Sequence, residues 1–461
     1  MSGRRGEGSN IKVLSGVMFF PRGGSAHVVR ALGGELEALG HDVGLVTGSL
    51  PGGHGDARAF YADLDVHAVD FGGAGGAPMH PSYEDRPGAI DPCFALVGPS
   101  AYEAHVSAWA DALQAAGAAD ADVLHLHHLT PLHEAARRVA PHVPVVGHLH
   151  GTELLMLEKI AAGAPAHWAH ADAWVARMRD WALGCARLLL LAEGQVERAV
   201  RLLGVDADRC SVIPNGFDPQ TFSPGSIDRA AFWHEQLVAA PRGWRPGEGE
   251  GSVTYSAEQL APLAEGPVVT SCGRFTEVKR VGLLIEAWAD AQRRMRRRGA
   301  LVLLGGHPGE WEGEHPCDVI SRTGARDVFL AGWHDHDELP DFLRASDALA
   351  LASVREQFGL VLVEAMACAL PCIAVDAFGP AEIIEDGRTG WLVAPDDRAA
   401  LADALVDARD DHAERARRGT AARRVAVERY GWPAIARRVA DVLAYAAAQP
   451  AKCRSGSSLQ R

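Results

Sequence analysis

Short apolar runs of strand character alternate with amphipathic helical stretches through both halves of the chain. That alternation admits few folds, because it is the signature of parallel sheets covered by helices. In the first half the runs are IKVLSGV (11–17), DVGLVTG (42–48), DVLHLH (122–127) and VPVVGHLH (143–150). Between the first two, residues 25–39 carry Val28, Val29, Leu32, Leu36 and Leu39 at helical spacing. The second half repeats the pattern with GPVVTSCGR (266–274), ALVLLGG (300–306), DVFLAG (327–332), ALALAS (348–353) and PCIAVD (371–376).

The two halves are separated by a stretch rich in Pro, Gly and charge between about 214 and 266, where PRGWRPGEGEGS (241–252) reads as a linker or a mobile insertion. Another irregular stretch, Pro51 to Pro99, reads as loops around the mouth of the first domain. A length of 461 residues accommodates two large domains. The expectation is an α/β protein of two Rossmann-like domains facing across a cleft, with ligands at the carboxyl ends of the strands. The expected limits are 1–212 for the first domain, completed by a helix at about 430–447. The second domain is expected over 213–429, with a flexible tail at 448–461.

Composition excludes several classes. Apolar residues make up 48% and charged residues 23%, as in an ordinary globular protein. The 45 Lys and Arg against 59 Asp and Glu leave a formal charge of -14, which argues against non-specific binding of nucleic acid or anionic membrane. Eight cysteines, spread along the chain without a CxxC pair, fit core thiols in a reducing compartment. The N-terminus lacks a signal-peptide pattern, and no apolar run of about 18 residues is present. A cytoplasmic protein without stable membrane insertion is expected.

Chemistry concentrates at the strand ends. The loop PRGGSAH (21–27) places Gly23 and Gly24 before the first helix, with Ser25 a candidate N-cap; amides at such a helix start suit an anion, although the loop by itself names no ligand. In the second half Arg274 ends a strand and Lys279 follows at the start of a helix. Two cations there fit a diphosphate, against the plainer reading of a solvated basic turn. The strongest signal is SVREQFGLVLVEAMACALP (353–371). Glu356 stands before a helix opened by Gly359, Glu364 lies on that helix's second turn, and the amides of Phe358, Gly359 and Leu360 face the space between them. Carboxylates accept sugar hydroxyls, and amides accept phosphate.

Histidines cluster in HLHH (125–128), HLH (148–150) and HDHD (334–337). On strands His125 and His127 share a face, as do His148 and His150. No carboxylate completes a zinc-site spacing, so core or loop roles are expected and no metal ligand is assigned. The run RRMRRRG (293–299) reads as a solvated helix end rather than a membrane patch.

Taken together, the Gly23-Gly24 loop, IPNGFD (213–218), CGRFTEVK (272–279), LLGGHP (303–308), the Glu356-x7-Glu364 string and GPAEIIEDGRTGWLV (379–393) resemble the retaining glycosyltransferases of family 4, which have the GT-B fold. LLGGHP departs from the family's commoner form in having Gly306 where an acidic residue is usual. The resemblance implies transfer of a sugar from a UDP- or GDP-sugar to a small-molecule, natural-product or glycan acceptor, with no essential metal and no cofactor beyond the nucleotide diphosphate sugar. It implies that Arg274 and Lys279 hold the diphosphate, Glu364 the ribose hydroxyls and Glu356 hydroxyls of the donor sugar. It places His150, in GHLHGTE, at the reaction centre. Gly23, Gly24, Gly305, Gly306, Phe358, Gly359 and Leu360 complete the expected donor contacts.

Three other readings use part of the same residues. A glycosidase would employ Glu356 and Glu364 as an acid and its partner, leaving Arg274 and Lys279 without a role. A sugar-nucleotide epimerase of the same fold is disfavoured by the Glu-x7-Glu string together with GPAEII. A non-catalytic nucleotide-binding protein would need neither Glu356 nor His150.

Overall fold

The computed structural model describes residues 10–21, 23–52, 55–72, 76–85 and 90–449. Cys453 and most of the expected tail, 450–461, lie outside the described residues. The chain divides into two compact units, one running up to Pro214 and resuming at Trp432, the other formed by Asn215–Gly431.

The first unit is built on seven parallel strands: β1 (Lys12–Val17), β2 (Asp42–Ser49), β3 (Asp65–Asp70), β4 (Val123–His127), β5 (Val145–His148), β6 (Arg187–Leu190) and β7 (Cys210–Val212). Their spatial order is β3-β2-β1-β4-β5-β6-β7. The chain winds outward from β1 to β3 and then jumps back to lay β4 against the other side of β1. The strand order therefore reverses between β1 and β4, where the loops leaving the two carboxyl ends diverge. The core on one side joins Leu14 and Val46 to Leu124, Leu126 and Leu132. The helix Trp432–Ala447 belongs to this unit and buries Ile435, Ala436, Val439 and Leu443. Its Arg438 donates to the Val212 carbonyl at 2.6 Å.

The second unit repeats the scheme with six parallel strands: β8 (Val268–Cys272), β9 (Ala300–Leu304), β10 (Val328–Gly332), β11 (Ala348–Leu351), β12 (Cys372–Val375) and β13 (Gly390–Val393). The order β10-β9-β8-β11-β12-β13 puts its reversal between β8 and β11. Every residue of β9, β10, β11 and β12 is buried, which explains why these strands read as unbroken apolar runs. Leu301, Leu330, Ala350, Ile373 and the indoles of Trp288 and Trp391 belong to one core.

Four strands lie outside the expected runs. β3, β7 and β13 are sheet edges, and an edge strand need not be apolar on every residue: β3 reads DVHAVD and is mostly half-buried. β6 (RLLL) is interior and mostly buried, an apolar run that the expected strands do not include. The stretch 51–99 accordingly contains a strand and the short helix Ala57–Phe60, and is not loop throughout.

The segment 241–252 also corrects an expectation. It packs against the second unit as part of its core and does not link the two units. Trp244 is 1% exposed, and its Nε1–H donates to the Gly306 carbonyl at 3.0 Å. Its ring lies among Phe275, Trp311 and His315. Gly243 passes so close to β10 that a Cβ would lie 2.3 Å from the Leu330 carbonyl oxygen. In the basic run, the helix Val281–Gln292 ends before the arginines. Arg293, Arg294, Arg296 and Arg298 face Asp290, Asp403, Asp410 and Asp327 respectively, so much of that positive charge is paired. Cys93, Cys185, Cys368 and Cys372 are buried, and none of them forms a disulfide. Among the described residues no helix is long and apolar enough to cross a membrane.

Because Trp244 both fills the core and holds the glycine loop, Trp244→Ala is expected to destabilise the second unit by about 3 to 5 kcal/mol. Trp244→Phe keeps a ring but leaves the buried Gly306 carbonyl without its donor, and should cost less, about 1 to 3 kcal/mol. Urea unfolding followed by circular dichroism checks both values. An alanine variant as stable as wild type would mean that the indole is not part of the core.

Candidate functional site

The expected residues gather at the two strand-order reversals. In the second unit, β8 runs into Gly273 and Arg274, and Lys279 ends the 3-10 turn Glu277–Lys279. Lys279 therefore precedes the following helix and is not its first residue. Arg280, left-handed at φ 53°, separates the turn from that helix. From the other side of the reversal, β11 leads into Ser353 and Glu356, and the Val354 amide donates to the Val278 carbonyl at 3.0 Å. This stitch brings the two loops side by side. Lys279 Nζ donates to Glu356 Oε2 at 2.5 Å, with the side chains 24% and 18% exposed.

Next to this pair the backbone comes unusually close to itself. Gly305, at φ 116°, follows β9, and a Cβ there would sit 2.4 Å from the Gly273 carbonyl oxygen. Only glycine permits that approach between the β8 and β9 loops. Gly306 follows at φ 76°, its face against the Phe275 ring.

The helix Leu360–Ala367 starts from Gly359, left-handed at φ 96°, and no side chain caps it. Phe358 is buried, and its backbone lies against Gly379, where a Cβ would come within 2.4 Å. The Gly379 amide in turn donates to the Glu356 carbonyl at 3.1 Å. The GPAEII segment thus braces the loop that carries Glu356. Glu364, on the helix's second turn, is 3% exposed and is met by His336 Nε2 at 2.6 Å from Oε1. Burial, with Glu364 nearby, pushes the Cys272 thiol up to about 12, so Cys272 stays neutral beside these groups.

In the first unit the helix after β1 is Gly24–Ala38, capped by Gly23 at φ 96° with no side-chain bond. Ser25 lies inside the helix and does not cap it. Nothing stands within 4 Å of a Cβ built on Gly23, so the backbone at this helix start is open. At the end of β5, His150 is enclosed by three other imidazoles. Its ring stacks on His148 with centroids 5.0 Å apart, lies 4.4 Å from that of His128, and its Nε2 shares a hydrogen bond of 3.0 Å with His127 Nδ1. The His150 backbone amide donates to Glu153 Oε1 at 3.4 Å. His128, left-handed at φ 63°, donates from Nδ1 to the same carboxylate oxygen at 2.7 Å.

His128, Glu153 and His336 were not assigned roles from sequence, although all three stand in the motifs that drew attention: HLHH, GHLHGTE and HDHD. The register explains the histidine cluster. His127 lies opposite His148 across β4 and β5, so residues two apart on each strand align on one face. His125, His127 and His148 bring ring nitrogens within 4.8 Å of one another. That trio contains no carboxylate, and a divalent ion there would be buried without counter-charge.

Burial keeps these rings neutral. It lowers His125 and His133 to about 4, and lowers His127, His148 and His150 well below the usual histidine range, with neighbouring imidazoles reinforcing the shift in the last three.

Several comparisons bear on this arrangement. A family model described as "Glycosyltransferase Family 4" matches residues 22–221, and one described as "Glycosyl transferases group 1" matches residues 256–425. The chain is 31% identical over 254 residues to a D-inositol 3-phosphate glycosyltransferase of Xylanimonas cellulosilytica, an alignment covering 55% of each protein. It therefore spans about half the length of the curated relatives it matches at that level. An N-acetyl-alpha-D-glucosaminyl L-malate synthase of Bacillus anthracis is 24% identical over 430 residues, 91% of this chain and 93% of that one. Among solved structures, Anabaena HepE in complex with UDP and glucose superposes with a TM-score of 0.66 at 18% identity, covering 94% of this chain and all of the other. Sucrose-phosphate synthase of Thermosynechococcus elongatus gives 0.68 at 19% identity, covering 95% and 99%. The fold is that of these proteins, GT-B, with two parallel Rossmann-like sheets.

The neutral histidines have a consequence for stability. In the unfolded chain they titrate near 6.5, so below that pH the unfolded state binds more protons than the folded one. Their contribution is fully present above about pH 6.5 and is lost as the pH falls below it, down to about 4 for His125 and His133, at up to about 1.4 kcal/mol per pH unit for each ring. The urea midpoint of the first unit should fall between pH 7.5 and pH 5, before carboxylates titrate appreciably. An unchanged midpoint over that interval would mean that the rings are protonated or solvated in the folded protein.

Proposed function

The chain belongs to glycosyltransferase family 4, and on that footing we propose that it is a retaining enzyme moving a sugar from a nucleotide diphosphate sugar to a small hydroxyl-bearing acceptor, without an essential metal ion. The observation that carries this reading is the reversal between β8 and β11, where a lysine, two carboxylates and a glycine-lined turn meet. A diphosphate needs positive charge and close backbone; a ribose and a hexose need acceptors for their hydroxyls.

In this reading Lys279 and Arg274 hold the diphosphate and stabilise the charge that grows on it as the glycosidic bond breaks. Interactions that strengthen in the transition state are the ones that accelerate the step. Glu356 accepts from hydroxyls of the transferred sugar and, through its bond to Lys279, keeps the ammonium aimed before the donor arrives. Glu364 accepts from the ribose, while Gly305 and Gly306 let the backbone approach. Gly23, Gly24 and His150 of the first unit contact the donor sugar or the acceptor. The departing phosphate itself can take the acceptor's proton as the new bond forms on the face the leaving group vacates.

A uridine donor is favoured by the complexes of HepE with UDP and UDP-glucose. The relatives named for D-inositol 3-phosphate and L-malate direct attention to small, anionic, hydroxyl-bearing acceptors. Donor turnover across a panel of UDP- and GDP-sugars, with each acceptor class supplied in turn, tests the assignment. Absence of nucleotide release with every donor would overturn it.

Two further outcomes follow from the charge arrangement. EDTA should leave turnover nearly intact, because side-chain cations supply the positive charge at the diphosphate; activity lost in EDTA and restored by a divalent ion would contradict this. Lys279→Ala should slow transfer by roughly 10² to 10³ fold, the scale of losing one preorganised charge-stabilising donor. Steady-state kinetics on the folded variant check it, and a kcat within about twofold of wild type would return Lys279 to the role of a solvated side chain.

A further inference from the structure

Glu364 is far more enclosed than Glu356. Its side chain is 4% exposed against 18%. A carboxylate held so far from water is costly unless something pairs with it. The partner is not Lys279, which Glu356 engages, but the imidazole of His336, 2.6 Å away. An ionised carboxylate only accepts, so the hydrogen lies on Nε2 of His336.

The turn that carries that imidazole is braced, and the ring has a packing partner. His336 opens the 3-10 turn His336–Glu338 after β10, a turn closed by reciprocal bonds between Asp335 and Glu338. Arg242 grips Glu338 with two bonds, of 2.9 and 3.2 Å. The ring itself leans on Phe222, a fully buried side chain from the segment after IPNGFD, with centroids 5.2 Å apart. His336 is thus presented to Glu364 from a fixed turn, and its own side chain remains 26% exposed at the mouth of the pair.

We propose that His336 is a positioning residue. By bonding Oε1 it fixes the plane of the Glu364 carboxylate, so that the group accepts the adjacent hydroxyls of a ribose and discriminates against a 2′-deoxyribose. The inference rests on the reading that Glu364 holds the donor's ribose. With the carboxylate anchored, a deoxy sugar leaves an enclosed acceptor oxygen without its donor, and that unmet bond is the source of selectivity. Without the imidazole the carboxylate can rotate, and the preference goes.

The test uses the full chain and calorimetric binding of UDP, GDP and ADP. The diphosphate bound most tightly is then compared with its 2′-deoxy counterpart. Wild type is expected to prefer the ribo form by roughly ten- to a hundredfold. His336→Ala should bring that preference to within about threefold by weakening the ribo form, leaving the deoxy form nearly unchanged. His336→Gln, which still offers an N–H, should recover part of the preference and guards against a folding defect in the alanine variant. Glu364→Ala should also lose it. If His336→Ala keeps the wild-type preference while Glu364→Ala loses it, the role of His336 is refuted alone. Equal weakening of both forms in His336→Ala would likewise reduce His336 to a structural residue. If Glu364→Ala keeps the preference, or wild type binds none of the three diphosphates, the ribose reading itself fails and the inference falls with it.

Discussion

Parallel strands cannot be joined by tight turns, so each must be reached by a crossover, and wherever the crossovers change direction two neighbouring loops leave the sheet on diverging paths. Both sheets of this protein are built under that constraint, and the expected donor groups follow from it. Lys279 and Glu356 are 77 residues apart in sequence, yet they meet because β8 and β11 flank the reversal in the second sheet. The first sheet uses its reversal differently. Gly23 follows β1, His127 and His128 close β4, and the neighbouring β5 supplies His150. Both units place the expected residues just beyond the carboxyl ends of their strands.

Much of this was legible in the sequence, for physical reasons that can be named. Strands buried on both faces must be apolar throughout, so β8 to β12 announced themselves, the buried edge strand β10 included, whereas the edge strands β3 and β7 are only partly buried, are released from that demand and stayed hidden. Loops at the carboxyl ends carried residue types with few structural excuses: two carboxylates in a mostly apolar stretch, cations at a strand's end, paired glycines. Pairings across the fold were not legible. Nothing in HDHD says that one of its imidazoles would reach Glu364, because the contact depends on how the turn after β10 is braced by Arg242. The segment around Trp244 misled for the opposite reason. Its glycines and prolines signal freedom, yet here they permit the chain to press against β10 and to seat an indole beneath the Gly306 carbonyl.

The histidine stack shows a different balance. Three imidazoles on β4 and β5, those of His125, His127 and His148, occupy places that aliphatic side chains would fill more cheaply, and the buried Nδ1 of His125 and Nε2 of His148 have no hydrogen-bond partner. Enclosure keeps the rings uncharged, and an uncharged imidazole can both donate and accept. His150 is therefore held by a ring nitrogen on one side and stacked rings on others, an orientation that an aliphatic neighbour could not impose. The left-handed backbone at His128, fixed by Glu153, adds to the rigidity around the same residue.

The second unit is an insertion, in chain order, between two parts of the first: the polypeptide leaves at Pro214 and returns at Trp432. On the ribosome the seven strands of the first sheet emerge long before the helix Trp432–Ala447, whose Ile435, Val439 and Leu443 complete that unit's interior. The nascent first unit must therefore wait, with an apolar face uncovered, while 217 residues of the second are synthesised and fold. The second unit has its terminal residues in hand as soon as it is made. Maturation in this chain thus runs against the order of synthesis, and the half made first is the half finished last.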